Sequence, residues 1–201
     1  MALKVMIVRH GEKPPVKHQP PFGTTVDGEQ DWESLINPGW LRAGGLALLF
    51  DPRAGWALPA ALATPAQLYA SKPRDSADAD SDGDKEGSKS KRPLETITPL
   101  SQRLGHAINL DFGKGDEKQL VDAVLKQAGP VLISWQHERI PDISNRLVGA
   151  NPPAGGIPQK WPGKRFDLVW VFDAPASAGQ PWTFTQVPQL ILPGDSSQPI
   201  T

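Results

Sequence analysis

The chain has 201 residues, 38% of them hydrophobic and 21% charged, with a formal net charge of -1 at neutral pH. That length accommodates one domain with a sizeable core, and the charge balance offers no electrostatic footprint for nucleic acid or an anionic membrane. With no cysteine, there is no disulfide framework, no thiolate metal site and no thiol nucleophile.

Met1 to Lys4 leads into only four continuous apolar residues before Arg9. That is too few for a signal-peptide core, and no stretch reaches the length of a membrane span. A cytoplasmic location is the expectation.

Val5 to Val8 is β-branched at three of its four positions. It reads as a buried strand in the middle of a sheet. Arg9, His10, Gly11, Glu12 and Lys13 follow at once, where an open parallel sheet presents its chemistry. Pro14 and Pro15 then stop any regular element. Val16 to Asn37 has no period and reads as a long loop walling the site, with a short turn around Trp32 to Leu35. Asn37 to Phe50 reads as a helix ended by Asp51-Pro52, with Leu41, Leu48 and Leu49 on one face. Gly44 and Gly45 cost that helix stability, which points to close packing against the sheet. Pro65 to Ser71 is a candidate second strand.

Ser71 to Lys91 carries Asp75, Asp78, Asp80, Asp82, Asp84 and Glu86 with almost no apolar residue. It reads as a flexible acidic insert, at about 75–91, on the surface of the single domain. Counted from Asp78, a calcium loop would need glycine at its sixth place, where Gly83 stands, and an acid at its twelfth, where Lys89 stands. A solvated loop is the better reading. Beyond it, Ile97, Leu100 and Leu104 share a helix face that Gly105 stops, and Pro99 fits the first turn of a helix starting at Thr98. Ala107 to Leu110 reads as a short edge strand, and Glu117 to Gln127 as a helix with Leu120, Val121, Val124 and Leu125 on its apolar side.

Val131 to Trp135 is the second strong strand. Like the first, it runs into a histidine and a charge, in Gln136-His137-Glu138-Arg139. Two such strands lying parallel and side by side would bring His10 and His137 together. Ile140 to Leu147 reads as a helix burying Ile140, Ile143, Ser144 and Leu147. Gly149 to Gly163 is a proline- and glycine-rich loop. Phe166 to Phe172 and Trp182 to Val187 read as an antiparallel pair.

Three pieces now stand in order: Val8-Arg9-His10-Gly11-Glu12; Tyr69-Ala70-Ser71 with, after the insert, Ser90-Lys91-Arg92-Pro93-Leu94-Glu95-Thr96; and Ile133-Ser134-Trp135-Gln136-His137-Glu138. Together they resemble the histidine phosphatase superfamily, the phosphoglycerate mutase-like fold, over roughly residues 3 to 148. Asn37-Pro38-Gly39-Trp40-Leu41-Arg42-Ala43 resembles that family's helix start. The resemblance implies a three-layer α/β/α sandwich with a mostly parallel central sheet and, from the pairing above, an antiparallel strand near the carboxyl end. It implies that His10 becomes a phosphohistidine, that Arg9 and Arg92 bind the phosphoryl oxygens, and that His137 completes the pocket. One branch of the family continues Arg-His-Gly with arginine and proline, where this chain has Lys13 and Pro15 or Pro14, a partial match. The proton donor is Glu138, directly after the second histidine, or Glu12. His18 is a further candidate for reaching the substrate.

These residue types suit phosphoryl transfer. The transferring group spreads negative charge over its equatorial oxygens, so positioning and electrostatics carry most of the catalysis. Arginine holds two such oxygens with a rigid fork, so two arginines and a histidine would do the work of a metal ion. The expectation is therefore hydrolysis of a small phosphorylated substrate with no metal and no cofactor. A phosphomutase and a non-catalytic phospho-ligand or protein-binding module on the same fold are the alternatives. Arg42 and Glu95 read as surface or structural charges, and Trp32 and Trp135 as the tryptophans placed to touch a ligand.

Overall fold

The structure, a computed structural model, describes residues 2–16, 19–74 and 87–201. Its centre is a six-stranded sheet: β1 (Lys4–Arg9), β2 (Gln67–Ala70), β3 (Ile108–Asn109), β4 (Pro130–Trp135), β5 (Leu168–Asp173) and β6 (Thr183–Pro188), in the spatial order β3-β2-β4-β1-β5-β6. β3, β2, β4 and β1 run parallel. β5 is antiparallel to β1, and β6 is antiparallel to β5. Among the described residues the helices are α1 (Asn37–Phe50), α2 (Arg92–Leu104), α3 (Glu117–Val124) and α4 (Ile140–Val148).

Strand periodicity divides the core in two. Val5 and Ile7, with Val131, Ile133 and Trp135, face the side covered by Leu120, Val121, Val124, Ile140, Ile143 and Leu147 of α3 and α4. Met6, Val8 and Leu132 face the opposite side, against Leu46 and Phe50 of α1 and Ile97 and Leu100 of α2. Helices therefore cover both faces, which makes the three-layer α/β/α architecture. It also explains why β1 and β4 read as continuous apolar runs, since a strand covered on both faces has no solvent side to mark. Among the described residues, no helix is long and apolar enough to cross a membrane.

The elements fall close to their expected places; α3 stops at Val124, short of Gln127, and leaves Leu125 exposed beyond its end, and two larger corrections follow. The first concerns α1, which buries Ala43, Leu46, Ala47 and Phe50, while Leu41 and Leu48 lie exposed. The buried set has the same three-four spacing as a leucine face would, so a helix apolar on several sides left the choice to tertiary packing. The second concerns α2, which starts at Arg92, not Thr98, and carries Pro99 in its interior. Pro93 occupies its first turn, where a missing N–H costs nothing. Gly105 ends it in a left-handed conformation (φ 67°).

Of the acidic insert, residues 75–86 lie outside the described residues, as does His18. The segment's far end is tied into the fold. Ser88 accepts a backbone hydrogen bond from Arg74, and Ser90 is buried just before α2.

Candidate active site

β1 and β4 pair in register, Arg9 opposite Trp135, and the His10 N–H donates to the Trp135 carbonyl at 3.1 Å. The two histidine-bearing turns thus leave the same edge of the sheet side by side. His10 is 4% exposed. Its Nδ1 lies 2.7 Å from the Gly11 carbonyl. A carbonyl only accepts, so Nδ1 carries the hydrogen and Nε2 keeps a free lone pair. Burial, and then the charges of Arg9, Arg92 and Lys13, hold the His10 pKa well below its ordinary value. The ring is neutral at physiological pH, as a nucleophile must be.

The backbone that orients this ring is held from a distance. The Gly11 N–H donates to Thr96 Oγ1 at 2.8 Å, and that hydroxyl donates to the Arg92 carbonyl at 2.7 Å. Gly39, in the first turn of α1, lies so close to this turn that a Cβ there would meet the Glu12 carbonyl oxygen at 2.6 Å. Glycine is required at that contact.

Arg9 is fully buried. Its Nη1 donates to the carbonyls of Gly163 at 2.7 Å and Arg165 at 3.0 Å, and its guanidinium lies 3.7 Å from the centre of the Phe166 ring. These contacts offset part of the cost of burying a charge. Burial pushes its pKa down to about 10, so it stays charged at neutral pH. Among the described residues its Nε and Nη2 have no partner, although both are buried. An unsatisfied buried donor costs about 1–3 kcal/mol, so these two N–H groups point to an anion as their missing partner.

Arg92, at the start of α2, repeats the arrangement. Nη1 donates to the Trp32 carbonyl at 2.9 Å, Nη2 lies 3.5 Å from Glu33 Oε2, and Nε is buried with no partner among the described residues. Glu95 holds the loop that supplies these contacts: its carboxylate accepts from Ser34 Oγ at 2.6 Å and from the Leu35 N–H at 2.8 Å. Lys91 adds an ion pair to Asp31 at 3.0 Å. Glu95 is therefore a buried structural acid, and burial raises its pKa despite those bonds.

His137 follows β4, and its Nδ1 is 3.0 Å from Glu138 Oε2 without the alignment of a hydrogen bond. Glu138 also reaches Lys114 Nζ at 3.1 Å. His137, together with Lys114, holds this carboxylate far below its ordinary pKa, so it is ionised at rest. Glu12 is clamped instead. Arg42, only 2% exposed, grips it at 2.7 Å through Nη2 and at 3.0 Å through Nε, and also binds Asp195 at 2.8 Å. Arg42 is a buried structural cation.

Lys13, Pro14, Pro15, Trp32, Glu33 and Arg92 line a cleft of about 290 Å³ beside the segment that follows His10. Lys13 thus stands at the rim, where burial and the neighbouring Arg92 and Arg9 lower its pKa. Trp32 lines the cleft, with its ring edge-on to Phe22 at 5.1 Å. Trp135 does not. It is fully buried on the α3 side and donates its Nε1 hydrogen to Glu117 at 3.1 Å.

The arrangement gathers a neutral imidazole, two guanidinium groups with unmatched donors, and a second histidine. Thr96, Phe166 and the Gly163 and Arg165 carbonyls were not singled out from sequence. A carbonyl has no side-chain signature, and Phe166 lies far down the chain from Arg9.

No protein-family model matches the chain, and no curated protein matches it. Among solved structures it is similar to a proposed alpha-ribazole-5'-P phosphatase from Escherichia coli, with a TM-score of 0.47 and 10% identity, covering 92% of this chain and 95% of that one. It is also similar to the ecdysone phosphate phosphatase of Bombix mori in complex with tungstate, with a TM-score of 0.46 and 13% identity, covering 98% of this chain and 96% of that one. Both of these proteins are described as phosphatases.

Proposed function

We propose that the protein hydrolyses phosphomonoesters through a phosphohistidine on His10. The observation that carries this reading is the buried, neutral His10 ring, with its Nδ1 engaged by Gly11, set among the unpartnered donors of Arg9 and Arg92. In this reading Nε2 attacks phosphorus. Arg9 Nε and Nη2 and Arg92 Nε take up the equatorial oxygens, and His137 closes the pocket. Each charge-assisted bond strengthens as the transition state gathers charge on those oxygens. Lys13 adds positive potential at the rim and draws the dianion in.

Glu138 and Glu12, the two acids expected to move the proton, are both engaged. In this reading Glu138 balances the charge around His137, and Glu12 belongs to the Arg42 clamp. The expected turnover needs no added metal, because the guanidinium groups supply the positive charge.

The test is hydrolysis of 4-nitrophenyl phosphate in the presence of chelator, by the native protein and His10→Ala. Turnover by the native protein, lost by at least roughly 10³-fold in the variant, is the expected outcome. A folded protein that binds vanadate but turns over no phosphomonoester would move the assignment to a phospho-ligand binding module.

A further inference from the structure

Glu138 is ion-paired to Lys114 and set against His137, and Glu12 is gripped by Arg42, so a less engaged carboxylate is better placed to serve the leaving group. Among the described residues, the lining of the cleft beside Arg92 contains one, Glu33. Its side chain is one-third exposed (35%); it pairs with Arg92 Nη2 at 3.5 Å, longer than a hydrogen bond, and its charge also acts on Lys13 across the cleft. The backbone that carries it is fixed at several points. The Glu33 carbonyl accepts from the Lys91 N–H at 2.9 Å, the adjacent Trp32 carbonyl accepts from Arg92 Nη1, and Glu95 holds Ser34 and Leu35. A rigid loop thus presents a loosely held carboxyl group next to the guanidinium whose Nε awaits the phosphoryl group.

We propose that Glu33 is the catalytic acid and base of this site. The inference rests on the phosphohistidine reading. In the first half-reaction the bond between phosphorus and the ester oxygen breaks as His10 Nε2 bonds to phosphorus. Protonated Glu33 gives its proton to the departing oxygen. In the second, water bonds to phosphorus, its proton passes to the Glu33 carboxylate, and the phosphorus–nitrogen bond breaks. Phosphate leaves, and neutral His10 and protonated Glu33 are restored.

The experiment compares kcat/KM of the native protein, Glu33→Gln, Glu33→Asp and Glu138→Gln on 4-nitrophenyl phosphate, phenyl phosphate and a primary alkyl phosphate. A poor leaving group needs the proton most. The loss in Glu33→Gln should therefore grow along that series, from below about 10-fold to roughly 10²–10⁴-fold. Glu33→Asp should recover part of the alkyl phosphate rate, and Glu138→Gln should lose the same factor on all three substrates. A uniform loss in Glu33→Gln would reduce Glu33 to an anchor for Arg92 and overturn the proposal. So would a leaving-group-dependent loss in Glu138→Gln instead. Failure of the native protein to turn over any of the three brings down the phosphohistidine reading itself, a result distinct from either of these.

Discussion

His10 is a histidine that the fold keeps neutral, and this has a consequence for stability. Its pKa is depressed by burial and by three neighbouring cations. Above pH about 6.5, the ring is neutral in both the folded and unfolded chain. Below that, the unfolded chain takes up a proton that the buried pocket refuses, so the unfolded state binds more protons and stability falls as the pH drops. The limit is about 1.4 kcal/mol per pH unit. Glu138, also depressed, acts with the same sign but only once the pH approaches the ordinary glutamate value of about 4.3. Urea unfolding at pH about 6.5 and about 5.5 should therefore show the native protein losing about 1 kcal/mol more than His10→Asn. Parallel losses in the two proteins would contradict a neutral His10. At this scale the sequence was legible where a side chain marks its own place. His10, Arg9 and His137 each sit at the end of an apolar run, and Arg92 falls in a motif. The partners that tune them, such as the Gly11 carbonyl and Phe166, were not legible, because only the folded chain brings them close.

Helix α1 shows what an element does with redundant information. Two adjacent glycines suggested a single packing reason, yet they differ. A Cβ on Gly45 would collide with Ile191 Cγ2, whereas a Cβ on Gly44 would have nothing within 4 Å. Gly44→Ala should thus stabilise the protein by up to about 1 kcal/mol through helix propensity. Gly45→Ala should destabilise it by about 1–3 kcal/mol through overpacking. Thermal melts that shift in opposite directions are the expected result, and equal shifts would show that the Ile191 contact yields at no cost. The exposed Leu41 and Leu48 belong to the same account. Spacing established that a helix exists, but its several apolar positions did not single out the buried face. In α2 the reverse held: Ile97 and Leu100 marked the buried face correctly, while Pro99 drew the expected start too far along the chain. Pro93 had the same chemistry closer to the true beginning.

At the scale of the molecule, the sheet order sets the chemistry. β4 inserts between β1 and β2, so the turn after β1, the turn after β4 and the start of α2 converge at one sheet edge. The segment before β5 closes the site from the other side of β1, where Pro162 to Phe166 enclose Arg9. The layers and the parallel core were legible from buried strands that each ended in charge. The enclosing loop at 149–163 was legible only as irregular. Its role depends on backbone carbonyls brought to a residue more than 150 positions away in sequence.

The central claim is that His10 carries the phosphoryl group. Its most direct test is rapid quenching, in alkali, of the native protein mixed with 4-nitrophenyl phosphate, followed by peptide mass spectrometry. Phosphohistidine survives alkali and is lost in acid. The account predicts an acid-labile phosphoryl group on the peptide containing His10, present during turnover and absent from His10→Ala. Turnover with no phosphoryl group on that peptide, or with one on His137 instead, would contradict it.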